Sequence, residues 1–262
     1  MADQRSTVDV AYLESTAVKM NRGKQRSYEM MHLASGQHVL DVGCGAGHDT
    51  LAMAQIVGTS GRVDGVDFDQ GMIKAADQRA KEAGLDQFIT HHHSDVTALP
   101  FEADTFDSCR SERVFQHLPE PDRALAEMVR VTKPGGWIVV SDADWSTVSF
   151  DSPEVEVGRQ ISRAICDLSS INGTSARQLY RLFRQNRLVD LDLDLGGIYF
   201  TSLAEARFIT SLDQATQLAL EHGLITEDQL GRWLSSVEQA DAQGVFYGHM
   251  FGVMAAGRKP QS

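Results

Sequence analysis

Cysteine, basic residues and long apolar runs are what this chain is short of. Its three cysteines, Cys44, Cys109 and Cys166, are odd in number and far apart, which gives neither a disulfide framework nor a zinc-type spacing. Lysine and arginine total 24 against 36 aspartates and glutamates, for a formal net charge of −12. That deficit argues against a nucleic-acid partner or an anionic membrane surface, either of which calls for a basic patch. No apolar stretch approaches the length of a membrane span, and the opening Met1–Thr7 is polar, unlike a signal peptide. Repeats and low-complexity tracts are also missing. These absences predict a soluble, cytoplasmic chain with no stable membrane insertion.

What is present is an ordinary globular composition, 42% hydrophobic and 23% charged over 262 residues, enough to bury the core of one α/β domain with insertions. The chain organises around Val39-Leu40-Asp41-Val42-Gly43-Cys44-Gly45-Ala46-Gly47-His48-Asp49. An apolar run, His38 to Val42, ends in three glycines at alternate positions, and a helical pattern follows. The combination predicts a buried parallel strand, a tight turn and a helix N-terminus. Glycine at such a turn takes φ > 0 and lets the backbone approach a ligand, and in open α/β sheets that edge is where ligands bind. A dinucleotide fingerprint would need glycine where His48 stands. A second strand, Gly61 to Asp67, closes on an acid twenty positions after Gly47, the spacing at which a carboxylate takes ribose hydroxyls.

Other elements follow in order. Helices are expected over 8–20 and Lys24–Leu33, then Asp69–Ala83, capped by Asp69 and stopped by Gly84. Strands are expected at Phe88–His92 and Phe106–Arg110, a helix at Pro121–Val131, and a strand at Trp137–Ser141 after Lys133-Pro134-Gly135-Gly136. Helical patterns cover 153–186 with a break at Asn172-Gly173, and again about 202–221 and 226–241. Leu188–Leu195 alternates Leu and Asp like a half-buried strand, and Val245–Gly257 reads as a last strand. His91-His92-His93 has no further ligand at an identifiable spacing, so no metal is expected.

Asp41-Val42-Gly43-Cys44-Gly45-Ala46-Gly47 resembles motif I of the class I S-adenosylmethionine-dependent methyltransferases. Gly65-Val66-Asp67 with Met72-Ile73, Ser94-Asp95-Val96, Leu99-Pro100-Phe101 with Phe106-Asp107, and Arg130-Val131 with Lys133-Pro134-Gly135-Gly136 extend the likeness over roughly 24–142, to the small-molecule enzymes of the ubiquinone/menaquinone-biosynthesis type. The resemblance implies a Rossmann-like, seven-stranded, mostly parallel sheet whose last strand is antiparallel, with helices on both faces and a helical cap. It implies a single domain 1–262: lid helices 1–35, a cofactor-binding core 36–142, and a substrate-side half 143–262 carrying a helical insertion 201–242. It implies S-adenosyl-L-methionine as cofactor, held by Arg26, Asp41, Gly43, Cys44, Gly45, Gly47, Asp67, Phe68, Met72, Asp95, Val96 and Ser111, with adenine beside Asp95-Val96. Lys24 or Arg26 would take the methionine carboxylate, or both are solvated helix charges.

Many relatives carry a His-His pair after the fourth strand; this chain has Gln116-His117, so His117 alone carries over, as a candidate base that Glu112 and Asp144 would orient or rival. Phe200 and Phe208 are candidates for the acceptor pocket. The reading is in-line SN2 methyl transfer to an O, N or C nucleophile of a small-molecule acceptor, by a monomer or homodimer. A nicotinamide-type nucleotide enzyme and a non-catalytic S-adenosylmethionine-binding protein on the same scaffold stay open as alternatives.

Overall fold

The computed structural model describes residues 23–261, so the helix expected over 8–20 lies outside the described residues. A helix through 23–30 (α1) leads into β1 (His38–Val42), α2 (His48–Val57), β2 (Arg62–Asp67), α3 (Gln70–Glu82) and β3 (Ile89–His93). β4 (Phe106–Glu112), a 3-10 turn Phe115–His117, α4 (Pro121–Val131) and β5 (Thr132–Phe150) follow. The second half holds α5 (Val155–Asp167), α6 (Ser175–Gln185), β6 (Val189–Phe200), α7 (Leu203–Thr210), α8 (Leu212–Glu221), α9 (Glu227–Ala242) and β7 (Gly248–Arg258).

The seven strands order as β3-β2-β1-β4-β5-β7-β6. The first five are mutually parallel, and β7 runs antiparallel to both its neighbours. β1 sits where the order reverses, between β2 and β4, so the crevice beyond its carboxyl end is open to a ligand. Its Val39–Val42 run is buried because both faces of the sheet are covered. Leu40, Val42, Cys109, Ile138 and Val140 look toward α4 and α6. Val39, Val63 and Val139 look toward α1 and α2. A third core, around Phe200 and Trp233, joins α5 to α7, α8 and α9 over the ends of β5 and β7.

Local chemistry sets the boundaries. Asp69 caps α3 by accepting from the Gly71 and Met72 amides, Pro121 opens α4, and Thr226 with Gln229 forms a capping box on α9. The helix expected over 202–221 is two, because Ser211 turns left-handed, φ 50, between α7 and α8. β5 is longer than the expected Trp137–Ser141, and its first residues, including the Gly135 turn, are pinned to Lys259 after β7. β6 inverts the alternation expected of it. Beyond the irregularity between Val189 and Asp192, Leu193 and Leu195 are 46% and 69% exposed, while Asp192 pairs with Arg26 of α1. Edge position explains it: the α4–α6 core reaches only Leu191.

Candidate active site

The turn after β1 is fastened to β2 by its own backbone. The Gly43 and Cys44 amides both donate to the Val66 carbonyl, at 2.7 and 2.9 Å. The glycines then divide the labour. A Cβ on Gly43 would meet Val114 and one on Gly47 would meet Ala76 of α3, whereas one on Gly45, φ 52, would meet nothing within 4 Å. Gly43 and Gly47 therefore serve packing, and Gly45 keeps open space above the turn. Cys44 is buried against Gly65, and burial pushes its thiol far up, so it is a packing residue, not a nucleophile. Asp67, at the end of β2, accepts from the Gly45 amide at 2.8 Å and the Asp69 amide at 2.9 Å. One carboxylate thus ties the first two strand ends together.

Below the turn lies a charge cluster that the sequence reading did not identify. Arg110, in the middle of β4, is 1% exposed. Its guanidinium reaches Asp49 of α2 at 3.0 Å, Asp41 at 3.9 Å and Glu112 by a short hydrogen bond, and lies over the Tyr28 ring. Lys24 bonds Asp49 at 2.8 Å, and the Tyr28 hydroxyl donates to the same carboxylate. Burial pushes the Asp41 carboxyl up against the pull of Arg110. Burial also penalises the Asp49 anion, yet Arg110, Lys24 and Tyr28 outweigh it and hold that carboxyl low. The available signal was an arginine inside a strand that the sheet was expected to bury, since arginine is almost never fully buried unless paired. Lys24 thus serves the cluster, whereas Arg26 pairs with Asp192 at 3.1 Å and Asp194 at 3.5 Å on β6.

Beyond the strand ends opens a cleft of about 700 Å³. Gly43, Val66, Asp67 and Phe68 form one wall, Ser94, Asp95 and Val96 the next, and Glu112 to Pro119 the third, Phe115 excepted. Phe68, on the cleft wall, is 77% exposed, an apolar surface of the kind a flat heterocycle covers, and Met72 of α3, 44% exposed, is not on that wall. Asp95 folds its own turn, accepting from the Thr97 amide and hydroxyl at 2.8 Å, and these bonds hold its carboxyl low. Ser111 does not reach the wall: it points to the α4–α6 face beside Val42 and Val140, its hydroxyl buried without a hydrogen-bond partner. Glu112 does line the cleft, held from behind by Arg110.

His117 lines the cleft as well, on the 3-10 turn that follows Arg113, whose left-handed φ of 57 throws the chain out of β4. Burial and the neighbouring Arg113 both lower the imidazole pKa, so it is neutral at neutral pH. Asp144 is not part of this arrangement. Its carboxylate takes a bidentate pair from Arg177, at 2.6 and 2.9 Å, and a hydroxyl from Ser146, which borders a separate cavity of about 510 Å³ between β5 and α5. An acid so engaged neither orients His117 nor rivals it. Phe200 is likewise fully buried in the α5–α9 core, while Phe208 lies half exposed on α7. Neither Phe200, Phe208 nor any residue of 201–242 is on the cleft wall.

The histidine run is explained by its neighbours. His91 faces Thr50 and Asp77, and His93 faces the Phe68 carbonyl. His92 and His38 both bond Asp64, each at 2.6 Å. Burial raises the Asp64 pKa, but the two imidazoles more than offset this and bring it to about 2. The sign is that of a depressed acid: the stabilisation is present above the unfolded value near 4 and is lost as pH falls through about 2. Asp64→Asn is expected to cost about 2 kcal/mol at neutral pH, from a shift of about two units, and to flatten the loss of stability between pH 4 and 2. Urea unfolding across that range measures it.

Comparison with known proteins agrees with this geometry. A family model described as "Methyltransferase domain" matches residues 33–189. An uncharacterized 37.1 kDa protein of a Streptomyces fradiae transposon is 32% identical over 245 residues, which cover 91% of this chain and 68% of that protein. The demethylmenaquinone methyltransferase of Anoxybacillus flavithermus is 35% identical over 125 residues, covering 48% of this chain and 52% of its own; the chain thus spans about half of that relative. Among solved structures, the YcgJ protein of Bacillus subtilis superimposes with a TM-score of 0.66 at 20% identity, over 92% of this chain and 100% of that one. That likeness is one of fold.

Proposed function

The chain belongs to the methyltransferase-domain family, an S-adenosylmethionine-dependent enzyme by that membership, and from that premise we propose that it methylates a small-molecule acceptor from the cleft beyond β1, β2 and β4. The single observation that carries the reading is Gly45: a left-handed residue over open space, its amide held by the Asp67 carboxylate. The donor's shape fits there. Ribose hydroxyls would meet Asp67, adenine would lie between Phe68 and the Asp95–Val96 turn, and the methionine end would point toward Gly43 and Glu112. The cleft's acids suit the donor's cationic sulfonium and ammonium. When bound, S-adenosylmethionine supplies an electrophilic methyl group.

The chain's own residues position and exclude. Asp67, Gly43 and the Val66 carbonyl define one wall, and the turn from Arg113 to Pro119 brings the other over it. Aligning a nucleophile with the methyl and keeping water out supplies most of what such a transfer needs. The volume of about 700 Å³ is that of a small-molecule site, and a named relative acts on demethylmenaquinone, so a quinol or a comparably flat acceptor is the class we favour. The chain would act in the cytoplasm; no helix among the described residues is long and apolar enough to cross a membrane.

The test is a metabolite screen for transfer of labelled methyl from S-adenosylmethionine. Label in a small organic product, with S-adenosylhomocysteine formed in equal amount, is the expected result. Label confined to protein or nucleic acid would overturn the acceptor class.

A further inference from the structure

The hydrogen bonds around Gln116 determine which nitrogen of His117 carries its proton. The Trp145 indole N–H, which can only donate, reaches Gln116 Oε1 at 2.7 Å. That contact assigns the carboxamide oxygen to the Trp145 side. Gln116 Nε2 therefore carries the donors, and it sits 3.2 Å from the Arg113 carbonyl and 3.0 Å from His117 Nε2. A carbonyl only accepts, so a reversed amide would set oxygen against oxygen at Arg113 as well as N–H against N–H at Trp145. Two independent contacts give the same orientation. With an amide hydrogen aimed at it, His117 Nε2 must be the bare nitrogen, and the proton of the neutral ring is on Nδ1.

Gln116 has no freedom to turn away. It is 6% exposed, its amide donates to Asp142 at 2.7 Å, and its carbonyl accepts from Asn172 at 2.9 Å. Trp145 is fastened in turn, its amide donating to the Gly173 carbonyl at 2.9 Å. The Nδ1 side of His117 has no protein partner among the described residues, and the ring lines the cleft.

We infer that His117 serves methyl transfer as an Nδ1–H hydrogen-bond donor to an acceptor oxygen and not as a proton-abstracting base, with Gln116 and Trp145 as the positioning residues that impose this tautomer. The inference rests on the methyltransferase reading and deepens it. Nε2 is occupied by Gln116, and Nδ1 already bears a hydrogen, so the neutral ring has no lone pair to offer. Since His117 cannot take it, the acceptor's proton leaves to solvent or to Glu112 on the same cleft wall, and the ionised oxygen accepts from Nδ1–H. Phenols, enols and similar oxygen acids meet that requirement; unactivated alcohols do not. The carboxamide of Gln116 produces the effect, because it has one fixed donor end.

Nitrogen-15 NMR of the histidine-labelled protein at neutral pH tests the relay directly, with the His117 signals assigned by their loss in His117→Asn. The expected spectrum shows a protonated Nδ1 and a bare Nε2, and Gln116→Leu and Trp145→Phe should each shift the ring toward the Nε2–H form. A wild-type ring protonated on Nε2, or one indifferent to both variants, overturns the relay. On the acceptor found by the labelled-methyl screen, His117→Asn places an amide N–H near the Nδ1 position and should keep kcat within about fivefold. His117→Ala should lose about 10²-fold, the scale of one preorganised donor. The acid limb of the kcat profile should survive in both, since it does not belong to His117. Equal losses in the two variants together with disappearance of that limb would make His117 a base. Failure of the methyltransferase reading itself would show as no S-adenosylhomocysteine from wild type, while the ring spectrum still decides the tautomer.

Discussion

Arg110→Met is expected to lower the free energy of unfolding by about 3–5 kcal/mol, the cost of removing one partner from a buried ion cluster. Methionine nearly fills the volume, so the loss is electrostatic. Without the guanidinium, Asp49 keeps Lys24 and the Tyr28 hydroxyl, while Asp41 and Glu112 lose their ion pair. The Asp41 and Asp49 pKa values, which Arg110 lowers, must rise in the folded state. A raised acid binds its proton more readily folded than unfolded, so the variant should recover stability as pH falls from 7 toward 5. Urea unfolding at those two pH values measures both effects. Adding Asp49→Asn to the variant should restore part of the loss. A cost under about 1 kcal/mol with no pH dependence would mean that water already solvates these carboxylates.

Asp67→Ala should weaken S-adenosylhomocysteine binding by about 2–4 kcal/mol, through lost charge-assisted hydrogen bonds and partners left unsatisfied. The same carboxylate holds the Gly45 and Asp69 amides, so part of the loss is expected to come from a loosened turn. Gly45→Val separates the two contributions. Its Cβ meets no protein atom, and the fold bears only the strain of a β-branched residue at φ 52, about 1–2 kcal/mol. Binding should fall below detection nonetheless, because the side chain occupies the ligand's space. Calorimetric titration of both variants, with thermal melts alongside, reads the two quantities separately. A folded Gly45→Val that binds normally would make the turn purely structural.

Much of this was legible in the chain because each signal was local. The apolar run His38–Val42 and the helix Pro121–Val131 were bounded correctly, since pattern and punctuation coincide there. The acid at Asp67 and the cap at Asp69 were readable from spacing alone. Partnerships between distant segments were not. Nothing around Asp144 announces that Arg177 will claim it, and nothing around Arg26 announces β6. Phe200 looked like a pocket residue because an aromatic at the end of a strand serves a core or a ligand equally well, and here the packing of α5 and α9 decided for the core. The Leu–Asp alternation of β6 marked a strand correctly, but which face is covered depends on how far α6 extends over the sheet.

A crystal structure of the protein with S-adenosylhomocysteine tests the central claim most directly. The account predicts nucleoside density in the cleft beyond β1 and β2, ribose hydroxyls within hydrogen-bond distance of Asp67, and the adenine between Phe68 and the Asp95–Val96 turn. The methionine moiety should lie over Gly43, with the sulfur facing the wall that carries His117. A nucleoside bound elsewhere, or a cleft without ligand at saturating concentration, would contradict it.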